Sequence, residues 1–179
     1  MSYTLLTQRL RLRPLTEADA PFVLELLNDP DFIRQIADRG VRDLDSARQY
    51  LRNGPLASYA EHGHGLLMVE TRADAEPLGI CGLVHRPGLE HPDLGYALLP
   101  AGRGSGYASE AGAAVLAHAR AVLGHERVLA IVNPDNLRSI TVLERLGFAA
   151  QGTIRLPHDT KPLGLYATGG DGGSYTAPR

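Results

Sequence analysis

Leucine and arginine alternate from Arg9 to Pro14 (RLRLRP), the period of a strand with one covered face and one wet face. Pro14 closes the strand. Thr16, followed three residues later by Asp19, has the spacing of a capping box and opens a helix. Phe22, Val23, Leu26 and Leu27 form that helix's apolar stripe, and Asn28-Asp29-Pro30 ends it. A second helix is predicted from about Asp43 to Leu51, where Leu44, Ala47 and Leu51 recur at helical spacing. Asn53-Gly54-Pro55 reads as its stop, and His62 to Gly65 as a loop. Leu66 to Glu70 and Gly79 to Val84 then read as a strand hairpin, joined by the polar Arg72 to Pro77. Leu94 to Leu99 follows as a third strand of the group.

The second half is more regular. A Gly-rich turn, Gly102 to Gly106, leads into a long helix from about Tyr107 to Leu123 whose alanines suit close packing on a sheet. Arg127 to Val132 is nearly all apolar, as a buried parallel strand is. Leu137 to Leu146 forms another helix closed by Gly147, and weaker strand signals lie at Ala149 to Arg155 and Leu163 to Thr168. Strand 94–99, helix 107–123 and strand 127–132 make one parallel, right-handed βαβ unit. The earlier strands pair antiparallel through short links, giving a mixed sheet with helices on both faces.

Length makes this one domain, residues 1–168, followed by a Gly-rich tail at 169–179. A formal net charge of -2 offers nothing to neutralise a nucleic-acid backbone. The N-terminus lacks an apolar signal core, and no long apolar run is available to span a bilayer, so a cytoplasmic chain is expected. Cys81 stands alone in the apolar run LGICGL, which excludes an internal disulfide and reads as a buried structural thiol. His62 and His64 alternate, but no third ligand lies nearby in sequence, so no metal is expected.

The stretch RGSGYASEA, Arg103 to Ala111, carries the most chemistry. A strand-to-helix turn puts unpaired N–H groups and the positive end of a helix at one spot, which is an anion site. Gly104 and Gly106 let a ligand approach the backbone, and Arg103 adds a forked cationic donor. Three readings compete: a turn that needs glycine for geometry alone, a dinucleotide-binding turn, and a coenzyme A pyrophosphate loop. The dinucleotide reading fits poorly. Its third glycine position falls on Ser109, and no acid closes the following strand.

The third reading rests on a resemblance. Arg103, Gly106 and Ala108 fill the [QR]-x-x-G-x-[GA] loop of GNAT-family N-acetyltransferases, and Gly104 to Ala111 follow the longer G-x-G-Y-A-[ST]-E-A form. The stretch NPDNLRSITVLERLGF is similar to the family's N-x-x-S…L-E-x-x-G-F helix at Asn136, Ser139, Leu143, Glu144, Gly147 and Phe148. The likeness reaches upstream through DLGYALLP, Gly82 and Gly79, and loosely to RLRLRPLTEAD, so it covers about residues 8 to 168. It is nearest to the branch that acetylates ribosomal-protein N-termini.

The resemblance implies an α/β (α+β) GNAT fold, with a mixed, mostly antiparallel sheet of about six to seven strands, helices on both faces and one parallel βαβ unit. It implies an acetyl-CoA-dependent N-acetyltransferase, a transferase that needs no metal and acts as a monomer or homodimer. The implied cofactor residues are Leu98, Leu99, Arg103, Gly104, Ser105, Gly106, Tyr107, Ala108 and Asn136. Leu143 stands where many members carry a thiolate-protonating tyrosine. Ser139, one turn earlier, is the implied group that serves the thiolate. Asp93, where the family often has a glutamate, is the implied base; an exposed strand-end acid is the competing view. Tyr96 is either a pocket wall or a core residue.

At pH 7 an α-amine is roughly 10–15% neutral against about 0.04% for a lysine amine, so a weak base and a weak acid suit an α-amine. The acceptor is thus expected to be a protein or peptide α-amine. A small-molecule amine or antibiotic, or coenzyme A binding without turnover, remains open.

Overall fold

The computed structural model describes residues 3–157 and 161–169; the tail assigned to 169–179 lies outside them except for Gly169. Eight strands form one sheet in the order β1-β2-β3-β4-β5-β6-β8-β7. They are β1 (Leu5–Leu6), β2 (Leu10–Pro14), β3 (Leu66–Thr71), β4 (Pro77–Val84), β5 (Asp93–Leu98), β6 (Leu129–Val132), β7 (Ala149–Ile154) and β8 (Leu163–Ala167). All neighbours are antiparallel except β5 and β6. The two-residue β1 takes the sheet one strand beyond the expected six to seven. It is too short for alternation to reveal.

Side-chain alternation sorts two cores onto the two faces. Leu10, Leu12, Leu67, Val69 and Leu94 pack with helix α5 (Tyr107–Ala121) and with Leu143 of α6 (Leu137–Arg145). Met68, Ile80 and Ala97 face the other way, onto α1 (Ala20–Leu27), α2 (Pro30–Gln35) and α3 (Leu44–Leu51). The arginines of β2 are neutralised across the sheet. Arg11 and Arg13 both bond Glu70, and Arg13 forks onto Asp19 at 2.8 and 3.0 Å.

Three local expectations need correction. The Thr16 capping box is present, but it opens a short 3-10 turn (Glu17–Asp19) ahead of α1. Asn28-Asp29-Pro30 ends α1 and at once starts α2. The Asp29 carboxylate caps α2 by accepting from the N–H groups of Asp31 and Phe32, and Pro30 sits at the first helical position. Asn53-Gly54-Pro55 does not stop the chain's helical course. A π-helical segment (Arg52–Leu56) absorbs the missing proline N–H and continues into α4 (Ala57–His62).

The end of α6 explains part of its motif. Gly147 takes φ +85°, and its N–H donates to the Glu144 carbonyl while Phe148 N–H donates to Leu143. That is a Schellman stop, with Leu143 and Phe148 buried beneath it. These motif positions are structural.

Candidate active site

The parallel partners β5 and β6 are in register at Asp93 and Leu129 and no further, so they splay toward their C-terminal ends. A cavity of about 1230 Å³ occupies the splay. It runs from the Gly-rich turn, past Tyr96 and Ser139, to Arg86 and Asp93.

At one end the backbone does the work. Gly104 and Gly106 sit at φ +77° and +79°, a region that costs a side-chain-bearing residue about 1–3 kcal/mol, and nothing crowds Gly104. The ladder of α5 opens with Glu110 N–H donating to the Gly106 carbonyl at 3.1 Å. The N–H groups of Gly106, Tyr107, Ala108 and Ser109 precede that bond and remain at the positive end of the helix. Ser105 is exposed beside them.

Arg103 does not act as the expected forked donor to this turn. Its Nε donates to the Leu98 carbonyl at 2.8 Å, Nη1 to Asp31 at 2.7 Å and Nη2 to Asp29 at 2.5 Å. The carboxylates of Asp31 on α2 and of its cap Asp29 hold the guanidinium, so Arg103 ties the start of α2 to the end of β5. The cation beside the turn is Arg9, which sequence reasoning missed. It lies 4.4 Å over the Tyr107 ring, donates to the Ser105 carbonyl at 2.9 Å and pairs with Glu110 at 2.7 Å. Glu110 also accepts from Thr7 and from Arg9 N–H, and so ties the first turn of α5 to the start of β2. No local signal links residues about a hundred positions apart.

Leu98 and Leu99 part company. Leu99 N–H donates to the Leu78 carbonyl on β4 at 2.9 Å and is not available to a ligand. By alternation the N–H groups of Tyr96 and Leu98 point toward β6, into the splay.

Tyr96 and Ser139 meet over the middle of the cavity. Their hydroxyls are 2.6 Å apart, and the Tyr96 hydroxyl also lies 3.0 Å from the Ser139 carbonyl. Burial pushes the Tyr96 phenol up to about 12, with the Ser139 hydrogen bond opposing, so it stays a proton donor at neutral pH. Asn136 caps α6, its Oδ1 accepting from Ser139 N–H at 3.2 Å, and thereby fixes the turn that carries Ser139.

Asp93 is 1% exposed, which overturns the view of it as an exposed strand-end acid. Both of its oxygens accept from Arg86 Nε, at 2.9 and 3.1 Å. Burial raises its pKa, and the Arg86 charge opposes the rise. Alternation along β5 puts Asp93 on the α1–α3 face and Tyr96 on the α5–α6 face, so the two groups address the cavity from opposite sides of the sheet.

Cys81 is fully buried and its thiol is pushed up to about 12 by burial, as an inert core thiol is. His62 and His64 acquire neighbours that the sequence hid. His85 lies 4.4 Å from His62 and His125 lies 5.4 Å from His64, centroid to centroid. Among the described residues no group of three or more such side chains is arranged to hold a metal ion. Among the described residues no helix is long and apolar enough to cross a membrane.

A splayed parallel pair with a helix N-terminus at its mouth forms a cleft that suits an anionic ligand. The chain belongs to the acetyltransferase (GNAT) domain family, whose model matches residues 9–149. It is 31% identical over 166 residues to the uncharacterized protein YkkB of Bacillus subtilis, covering 90% of this chain and 93% of that one. It superposes on an acetyltransferase from Agrobacterium tumefaciens with a TM-score of 0.79 at 30% identity, covering 93% and 94% of the two chains. A ribosomal L7/L12 α-N-protein acetyltransferase, RimL, in complex with coenzyme A shares the fold, with a TM-score of 0.77 at 18% identity and coverage of 92% and 97%.

Proposed function

We propose that this acetyltransferase moves an acetyl group from acetyl-CoA directly onto an α-type amine, without an acyl-enzyme. The observation that carries the reading is the single cavity that joins the helix N-terminus at Gly106 to the Tyr96–Ser139 hydroxyl pair and to Asp93. The pyrophosphate sits against the N–H groups from Gly104 to Ala108, with Arg9 as the nearby cation. Pantetheine follows β5, where the Leu98 N–H donates to it or polarises the acetyl carbonyl. RimL, whose fold is the same, was solved with coenzyme A.

The neutral amine attacks the thioester carbonyl carbon, the C–S bond breaks, and the sulfur leaves as a thiolate. Ser139 donates a hydrogen bond to that sulfur, Tyr96 holds the Ser139 hydroxyl in place, and the thiolate takes its proton from solvent. The proton lost by the amine goes to Asp93. Aspartate is short, so a water spans the gap. With the base on one face of the sheet and the thiolate partner on the other, the acceptor and the leaving group do not compete for space.

Calorimetric titration with acetyl-CoA, with NAD as control, tests the cofactor end, and thiol release with peptide and small amines tests turnover. Micromolar binding of acetyl-CoA alone, followed by amine-dependent thiol release, is the expected result. Equal affinity for NAD, or thiol release indifferent to amines, overturns the reading.

A further inference from the structure

The acceptor end of the cavity holds an unusual set of unsatisfied polar groups. Gln35 Oε1 is buried and has no hydrogen-bond partner among the described residues, although buried side-chain polar atoms are normally paired. Tyr50 lines the same wall from α3. Arg39 and Arg86 line the cavity with it, and their charges oppose the rise that burial gives its phenol pKa. Arg39 has no acidic partner among the described residues. Arg86 uses only Nε on Asp93, which leaves its outer nitrogens unengaged. Two cations and one buried carboxylate therefore face the same space.

We infer that this end is an acceptor subsite for an amine that also carries a carboxylate, read by Arg39 and the outer nitrogens of Arg86. The inference rests on the acetyl-transfer reading and deepens it by giving the acceptor's chemical class. Guanidinium matches a carboxylate bidentately and is less hydrated than ammonium, so it suits a site partly walled from water. The Tyr50 hydroxyl accepts from the amine or from a neighbouring amide N–H. The same two cations disfavour the ammonium form of the acceptor. They hold the attacking nitrogen neutral, which eases the demand on Asp93.

The test uses coenzyme A-loaded protein and product-like probes, so that it does not depend on turnover. N-acetylated amino acids (glycine, leucine, phenylalanine, glutamate) and their primary amides are titrated in matched pairs by calorimetry. An N-acetylated peptide amide carrying one glutamate is a further arm. At least one free acid is expected to bind about tenfold to a hundredfold tighter than its amide, the range of a charge-assisted hydrogen bond. Arg39→Gln is expected to abolish that preference and Arg39→Lys to keep part of it, with coenzyme A affinity unchanged in both. Arg39 is exposed, so neither change threatens the fold. If only the acidic peptide binds, the carboxylate comes from a peptide and the subsite stands. Acids and amides that bind alike, no binding by any probe, or a preference that survives Arg39→Gln each overturn the inference. Loss of coenzyme A binding in the wild-type protein overturns instead the acetyl-transfer reading.

Discussion

The two ends of the cavity are built from different materials. The end proposed for the cofactor offers backbone N–H groups, two glycines at positive φ and a helix terminus, all within about six consecutive residues. At the acceptor end they come from side chains on α2, α3, the segment between them, the chain after β4 and the first residue of β5. A backbone cradle accepts one kind of ligand and tolerates surface change. A side-chain wall sets selectivity and can be redrawn by one substitution. On the proposed assignment of the two ends, the reaction and the choice of acceptor are separable in this molecule.

The sharpest way to break that contrast is Gly106→Val. A β-branched residue at φ +79° is strained, and its side chain enters the space of the phosphate. Acetyl-CoA is expected to bind at least about a hundredfold more weakly by calorimetry. An unchanged Kd would move the pyrophosphate elsewhere.

Ser139→Ala and Tyr96→Phe probe the middle. Each is expected to lower kcat by about tenfold to a hundredfold while acetyl-CoA binding survives, as for loss of one hydrogen bond to a developing charge. Because the hydroxyls touch, the double variant should fall little further than either single one. Additive losses would mean that the two act independently.

Asp93→Asn addresses the acceptor side. The raised pKa of Asp93 means that the carboxylate form needed to take a proton is lost as pH falls, beginning above the ordinary aspartate value of about 3.9. The wild-type enzyme is therefore expected to show an acid limb in kcat/KM that the variant lacks. A limb that persists in the variant assigns the base elsewhere.

That acid limb must be separated from loss of the fold, and His64 provides the smallest test. Burial first, then the neighbouring His125, lowers its pKa to about 4. Between roughly 6.5 and 4 the unfolded chain binds a proton that the folded one refuses, so stability falls with falling pH by up to roughly 3 kcal/mol. His64→Leu should flatten the pH dependence of urea unfolding in that window. An equal slope in wild type and variant would show that other groups carry the acid sensitivity.

Legibility from sequence followed the same division. The glycine turn, the βαβ unit and the α6 stop are local devices in which neighbouring residues fix backbone angles, so they could be read from order and spacing. Arg103 illustrates the limit. Its position in the turn was evident, but its guanidinium goes to Asp29 and Asp31, more than seventy residues away. Leu98 and Leu99 illustrate it again. They are adjacent in sequence, and only the pairing with β4 decides which of the two N–H groups is spent. The π segment at Arg52–Leu56 overrode a strong stop signal because α3 and α4 both pack onto the sheet on either side of it.

By itself the sequence determined the Gly-rich turn, the helix bearing Ser139 and the family to which the chain belongs, because these depend on interactions within one turn or one strand–helix unit. Tertiary structure alone decided that Arg9 stands beside the turn, that Tyr96 meets Ser139, and that Asp93 is buried against Arg86 while Gln35, Arg39 and Tyr50 line the same cavity. Those contacts join residues from separate elements. Whether a charge there finds a carboxylate, a hydroxyl or an open cavity depends on how the sheet splays and what packs across it.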